Sequence, residues 1–89
     1  MSLIPVSTGA QTACGERDAI AQRLRAQYDE RQVAVGMTSM GNLVEIFASP
    51  KGKTWTALLT QANGFACITA VGEDWGTVQP APEVPGDAT

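Results

Sequence analysis

Cys14 and Cys67, the two cysteines of the chain, are its side chains best suited to covalent chemistry. An even number of cysteines in a short sequence is read as one intramolecular disulfide, and closing a loop of this length contributes about 4 kcal/mol in the chain-entropy model. The other reading is a pair of buried free thiols. A bridge requires an oxidising compartment, so the chain is expected to be periplasmic or otherwise exported. Met1 to Gly9 has no basic start and only the short apolar patch Leu3, Ile4, Pro5 and Val6. Met1, Ser2 and Leu3 are therefore read as standing where an export signal has been removed.

Other chemistry is sparse. Histidine is absent, which removes the commonest general base and the commonest zinc ligand. Two cysteines without CxxC spacing cannot fill a tetrahedral site, and neither GxGxxG nor GxxxxGK occurs, so no metal and no cofactor are expected. Ser39 and Ser49 have no local base. Glu73, Asp74 and Trp75, together with Trp55, form a candidate ligand contact at one end of a sheet, for a carbohydrate or a peptide; the plainer reading is a solvated strand terminus. Glu45 and Glu73 would make a glycosidase-like pair only in a cleft that so small a domain can hardly form. The chain is expected not to be an enzyme.

At 89 residues, with 44% hydrophobic and 17% charged content, the chain fits one globular domain. The net charge of −3 leaves no basic stripe, so no nucleic-acid partner is expected. No apolar run approaches the roughly 20 residues that cross a bilayer, which argues against membrane insertion. Residues 1–11 read as a flexible arm, 12–76 as the domain, and 77–89, with Pro80, Pro82 and Pro85, as a Pro-rich tail.

Thr12 is a candidate N-cap for a helix over 13–29, on which Cys14, Ile20, Ala21, Leu24 and Tyr28 share an arc of roughly 120°. Arg17 projects into the same arc. Its stem is expected to pack while the guanidinium reaches water, the alternative being an ion pair with Glu45 or Glu73. Val33 to Thr38 and Leu43 to Ala48 read as strands, with Glu45 marking the solvent side of the second. A turn at Lys51 and Gly52 pairs Ala48 with Trp55, Ile46 with Ala57 and Val44 with Leu59. In the next hairpin, a two-residue Asn63-Gly64 turn would pair Thr60 with Cys67 and point Cys67 away from the helix that carries Cys14; a three-residue loop of Ala62, Asn63 and Gly64 with Gly64 left-handed pairs Leu59 with Cys67 and Trp55 with Val71 instead, and this register is the expected one. The expected fold is α+β: an N-terminal helix on a four-stranded antiparallel β-meander, tied to it by the Cys14–Cys67 disulfide. In this reading Trp55, Ala57, Leu59, Cys67, Thr69 and Val71 lie beneath the helix. Phe47, Leu58 and Ile68 are left on the outer face as a candidate interface for a protein partner or a homodimer.

The pattern LVEIFASP, GKTWT, a second Cys and GEDW, with Cys14 ahead of the helix, resembles short exported proteins of unknown function from Gram-negative bacteria. The resemblance covers about residues 14–75 and implies export and a periplasmic setting, with no catalytic or binding residue to carry over. The expected function is a non-catalytic periplasmic interaction module. The alternative is a small ligand-binding or inhibitor domain that uses the sheet end near Trp55 and Trp75.

Overall fold

A computed structural model describes residues 13–78. The arm expected at 1–11, the Thr12 cap and all but the first two residues of the expected tail lie outside that range. The described chain runs β1 (Cys14–Glu16), α1 (Arg17–Tyr28), β2 (Arg31–Met37), β3 (Leu43–Ala48), β4 (Thr54–Thr60) and β5 (Phe65–Glu73). The strands form one antiparallel sheet in the order β1-β5-β4-β3-β2. The sheet therefore has five strands, not four. β1 and β2, at opposite edges, point the same way, and α1 is the crossover between them.

Where turn chemistry is strong, the local reading holds. Ser49 shapes the β3–β4 turn, with its backbone N–H donating to Thr54 and its Oγ accepting from the backbone of Lys53 and Thr54. Gly52 has φ +70° in this turn, where its backbone also meets Trp75. The pairs Ala48–Trp55, Ile46–Ala57 and Val44–Leu59 form as expected. In the β4–β5 turn, Gly64 has φ +93°, its N–H donates to Gln61 O, and Leu59 pairs with Cys67. A bulge at Thr69 then shifts the register by one residue, so Trp55 pairs with Gly72 rather than Val71.

The helix is shorter at its start than expected. Residues 14–16 are extended and pair with β5, so Cys14 is a strand residue, and Glu16 occupies the N-cap without a side-chain hydrogen bond. Arg17 N–H donates to Gly64 O, which anchors the first turn to the β4–β5 loop. At the other end Asp29 is left-handed, and its N–H and that of Glu30 close on Arg25 O and Leu24 O.

The disulfide is present, but it joins different elements. Cys14 and Cys67 are directly opposed across β1 and β5, with Cα atoms 4.0 Å apart, so the bridge ties strand to strand instead of helix to sheet. Ile20 and Leu24 pack with Phe47, Leu58 and Ala66, while Ala21 and Ile68 lie against this cluster. Strand alternation puts Cys67 on the opposite side from Ala66 and Ile68. The helix thus covers the face expected to be outermost. Phe47 and Leu58, with Ile68 against them, are the core and not a solvent-facing patch.

Candidate functional site

Glu45 is the charged side chain whose position departs most from its sequence reading. It is 1% exposed and sits beneath the helix. Arg17 donates to both of its oxygens through Nε at 3.1 Å and again to Oε1 through Nη2. Gln32 Nε2 and Thr60 Oγ1 donate at 2.8 Å each. The alternative reading of Arg17 is therefore the one realised, and its guanidinium also lies 5.5 Å from the Phe47 ring centroid. The hydrogen bond from Arg17 outweighs the opposing effect of burial and holds the Glu45 carboxyl below the usual carboxylate range. The same contact holds the Arg17 guanidinium above its own ordinary value. With its oxygens occupied and no opening to water, Glu45 clamps the helix to the sheet and offers nothing to a substrate.

Glu73 does not join it. Glu73 is exposed at the end of β5 opposite Thr54, while Glu45 is opposite Leu58. Those positions are four residues apart on β4, or about 13 Å at the strand rise, so no carboxylate pair forms across a cleft. A second buried acid, Glu30, is 2% exposed, and its Oε1 has no hydrogen-bond partner among the described residues. No group of three or more His, Cys, Asp or Glu among the described residues could hold a metal ion. No described helix is long and apolar enough to cross a membrane.

At the sheet end, Trp55 and Trp75 approach with ring centroids 5.9 Å apart. Both keep intermediate exposure, and Trp55 Nε1 donates to Glu73 O at 3.3 Å. The Trp55 ring lies so close over Gly72 that a Cβ there would fall 2.8 Å from Nε1. Asp74 adopts φ 60° and Trp75 N–H donates to Gly52 O, which folds the chain back onto the β3–β4 turn. The structure thus brings Trp55, Glu73, Asp74 and Trp75 together, and the two carboxylate residues are exposed. An open depression of about 410 Å³ lies nearby between the helix C-terminus and the β3–β4 turn, bordered by Tyr28, Ser49, Lys51 and Lys53.

The larger surface is the side of the sheet away from α1. Pairing and alternation place Ala34, Gly36, Val44, Ile46, Ala48, Trp55, Ala57, Leu59, Ala70 and the disulfide there. Val44, Ile46, Trp55 and Leu59 are partly exposed, and no described secondary-structure element packs over them. Among the described residues, charged strand positions reach this side only at two diagonal corners, Glu16 on β1 and Arg31 on β2. The sequence signal for this face is the alternating apolar set Val44, Ile46, Trp55, Ala57 and Leu59, of which the sequence reading puts Trp55, Ala57 and Leu59 under the helix. No family model matches the chain, and no curated protein or solved structure matches it.

Proposed function

We propose that this chain is a non-catalytic interaction module of an exported, oxidising setting such as the periplasm, and that it engages a protein partner through the helix-free face. The supporting observation is a sheet face whose interior is apolar from Ala34 to Ala70 without a charged side chain. An antiparallel sheet with one solvated face ordinarily alternates polar residues onto that face. The disulfide supports the compartment, because such bridges persist where thiols are not kept reduced. The resemblance to short exported Gram-negative proteins points the same way.

A photo-crosslinking residue at position 59, compared with one at Gln22 on the exposed side of the helix, tests the reading in periplasmic extract. Discrete adducts are expected from position 59 alone, and they should disappear when Ile46→Lys is added. Equal adduct patterns at both positions would reject the face as the binding surface.

A second reading rests on the sheet end, where the half-exposed indoles of Trp55 and Trp75 stand beside Glu73 and Asp74. Aromatic faces beside carboxylates suit a sugar or a cationic peptide. Titration of tryptophan fluorescence with peptidoglycan fragments and basic peptides would show a saturable change if this end binds them, and a flat response would remove the reading.

A further inference from the structure

β2 is exposed along its whole length, although it contains Val33, Val35 and Met37 at 50%, 55% and 67% exposure. It forms an outer edge of the sheet, with β3 on one side and no described strand on the other. Thr38 N–H donates to Asn42 O at the mouth of the β2–β3 hairpin. Alternation of bonded and non-bonded pairs in an antiparallel ladder then turns the backbone groups of Gly36 and Ala34 toward β3 and those of Val35 and Met37 outward. The bulge between Gln32 and Ala34 ends this regular stretch. What remains, Ala34 to Met37, has neither a proline nor a charge, the devices by which edge strands are kept from pairing.

Gly36 is a second, independent observation. Its φ is outside the left-handed region, and a Cβ placed on it would meet nothing within 4 Å. Neither the backbone nor the packing of the monomer requires a glycine here. A glycine inside a strand commonly marks the close approach of another backbone.

We propose that β2 is a self-association strand: a second copy adds its own β2 antiparallel, centred on Gly36, and the sheet runs on through both chains. The strand is complementary to itself in this register. Val35 lies opposite the partner's Met37, and Met37 opposite the partner's Val35, so apolar side chains face each other across the strands. The outward backbone groups of these residues close about four new hydrogen bonds. Arg31, the strand's one charged residue, is carried to opposite ends by the two-fold axis and never faces its own copy, whereas a parallel pairing would stack the two arginines. The axis stands perpendicular to the sheet, so both helices lie on one side and the two helix-free faces adjoin. Self-association through β2 does not depend on what the helix-free face binds. An edge contact of this size is small, and the dimer is expected at a dissociation constant on the order of 0.1 mM.

Sedimentation velocity on the full chain, from about 10 µM to about 1 mM, tests the proposal. The wild-type sedimentation coefficient is expected to rise toward the dimer value. Val35→Pro removes an outward N–H that β3 does not use, and Gly36→Glu puts two carboxylates opposite each other on the axis. Both variants are expected to remain monomeric throughout. Gly36→Glu has open space for its side chain and carries the test if Val35→Pro does not fold, as judged by thermal melting. Ile46→Lys, on the helix-free face, should dimerise as the wild type does. A wild type that stays monomeric to the highest concentration overturns the proposal, as does a dimer that survives Gly36→Glu. Loss of the dimer in Ile46→Lys alone would assign self-association to the helix-free face instead.

Discussion

Replacing Arg17 with methionine keeps the aliphatic stem and removes the charge that holds Glu45. The side chain of Glu45 is 1% exposed and that of Arg17 30% exposed, so the two partners are not equivalent. Removing one member of a buried ion pair costs about 3–5 kcal/mol, mostly because the other charge is stranded. In Arg17→Met the stranded charge is the fully buried one, but Gln32 and Thr60 still donate to it, which places the expected loss near the lower end, about 3 kcal/mol. Glu45→Gln strands only the partly exposed arginine, which can turn to water, and keeps an amide oxygen for Thr60; its expected cost is about 1–2 kcal/mol. The double variant has no buried charge and should resemble Glu45→Gln. With a urea m-value of about 1 kcal/mol/M for so small a domain, Arg17→Met lowers the midpoint by about 3 M, and Trp55 and Trp75 fluorescence reports it.

The pH dependence separates the two states of Glu45. In the wild type its folded pKa lies below the unfolded value. Its contribution is therefore complete above the unfolded carboxylate range near 4.5 and is lost as pH falls through the folded pKa. In Arg17→Met, burial without the arginine pushes that pKa up, so the deficit should shrink as the pH falls through the raised value. Wild type and variant should thus converge in acid. A double variant as damaged as Arg17→Met, or an Arg17→Met deficit that does not shrink with acidification, would refute the clamp.

Two further outcomes follow from the same packing. Reduction of Cys14–Cys67, which spans a sequence separation of 53 residues, should lower stability by about 4 kcal/mol; in intact-mass measurements of the denatured chain, alkylation should add two labels only after reduction, and two labels gained without reductant would exclude the bridge. Leu58→Ala, at a fully buried position, should cost about 3 kcal/mol, while Leu59→Ala on the partly exposed opposite face should cost about 1 kcal/mol or less. Chemical denaturation of both variants decides which face is the core, and a reversed order would contradict the helix placement.

The hairpins were legible because glycines and short polar turns limit the registers available. Gly52 and Gly64 take the positive φ that their turns require, and the pairs from Val44–Leu59 to Ala48–Trp55 follow from counting residues out from the turn. Strand β1 was not legible: three residues carry no period, and Cys14 sat plausibly on the helical stripe. Read as a helix residue, Cys14 draws the face of Cys67 beneath the helix, which is the opposite of the face the helix covers. Once Cys14 is in a strand, the bridge needs no helix above it. Glu45 misled for a related reason. A lone charge in an apolar strand reads as the solvent side, yet Arg17 in the apolar arc of α1 was the complementary signal, since a cation and an anion that each interrupt an apolar set can neutralise one another inside.

The sequence by itself determined the α+β class, one helix ahead of a series of hairpins and the cysteine pair, because turn chemistry, helical periodicity and cysteine parity act over short distances; the Asn63-Gly64 turn left two registers open, of which Leu59–Cys67 is the one that forms. Tertiary structure alone decided which side of the sheet the helix covers. Both sides carry apolar alternation, Phe47, Leu58 and Ile68 on one and Ile46, Ala57 and Leu59 on the other, and a period of two cannot distinguish two apolar faces. The choice rests on contacts between distant segments: β1 pairing with β5, Arg17 reaching Glu45, and Ile20 and Leu24 filling the space above Leu58. It also decides which residues remain at the surface, and hence which face and which edge are open to a partner.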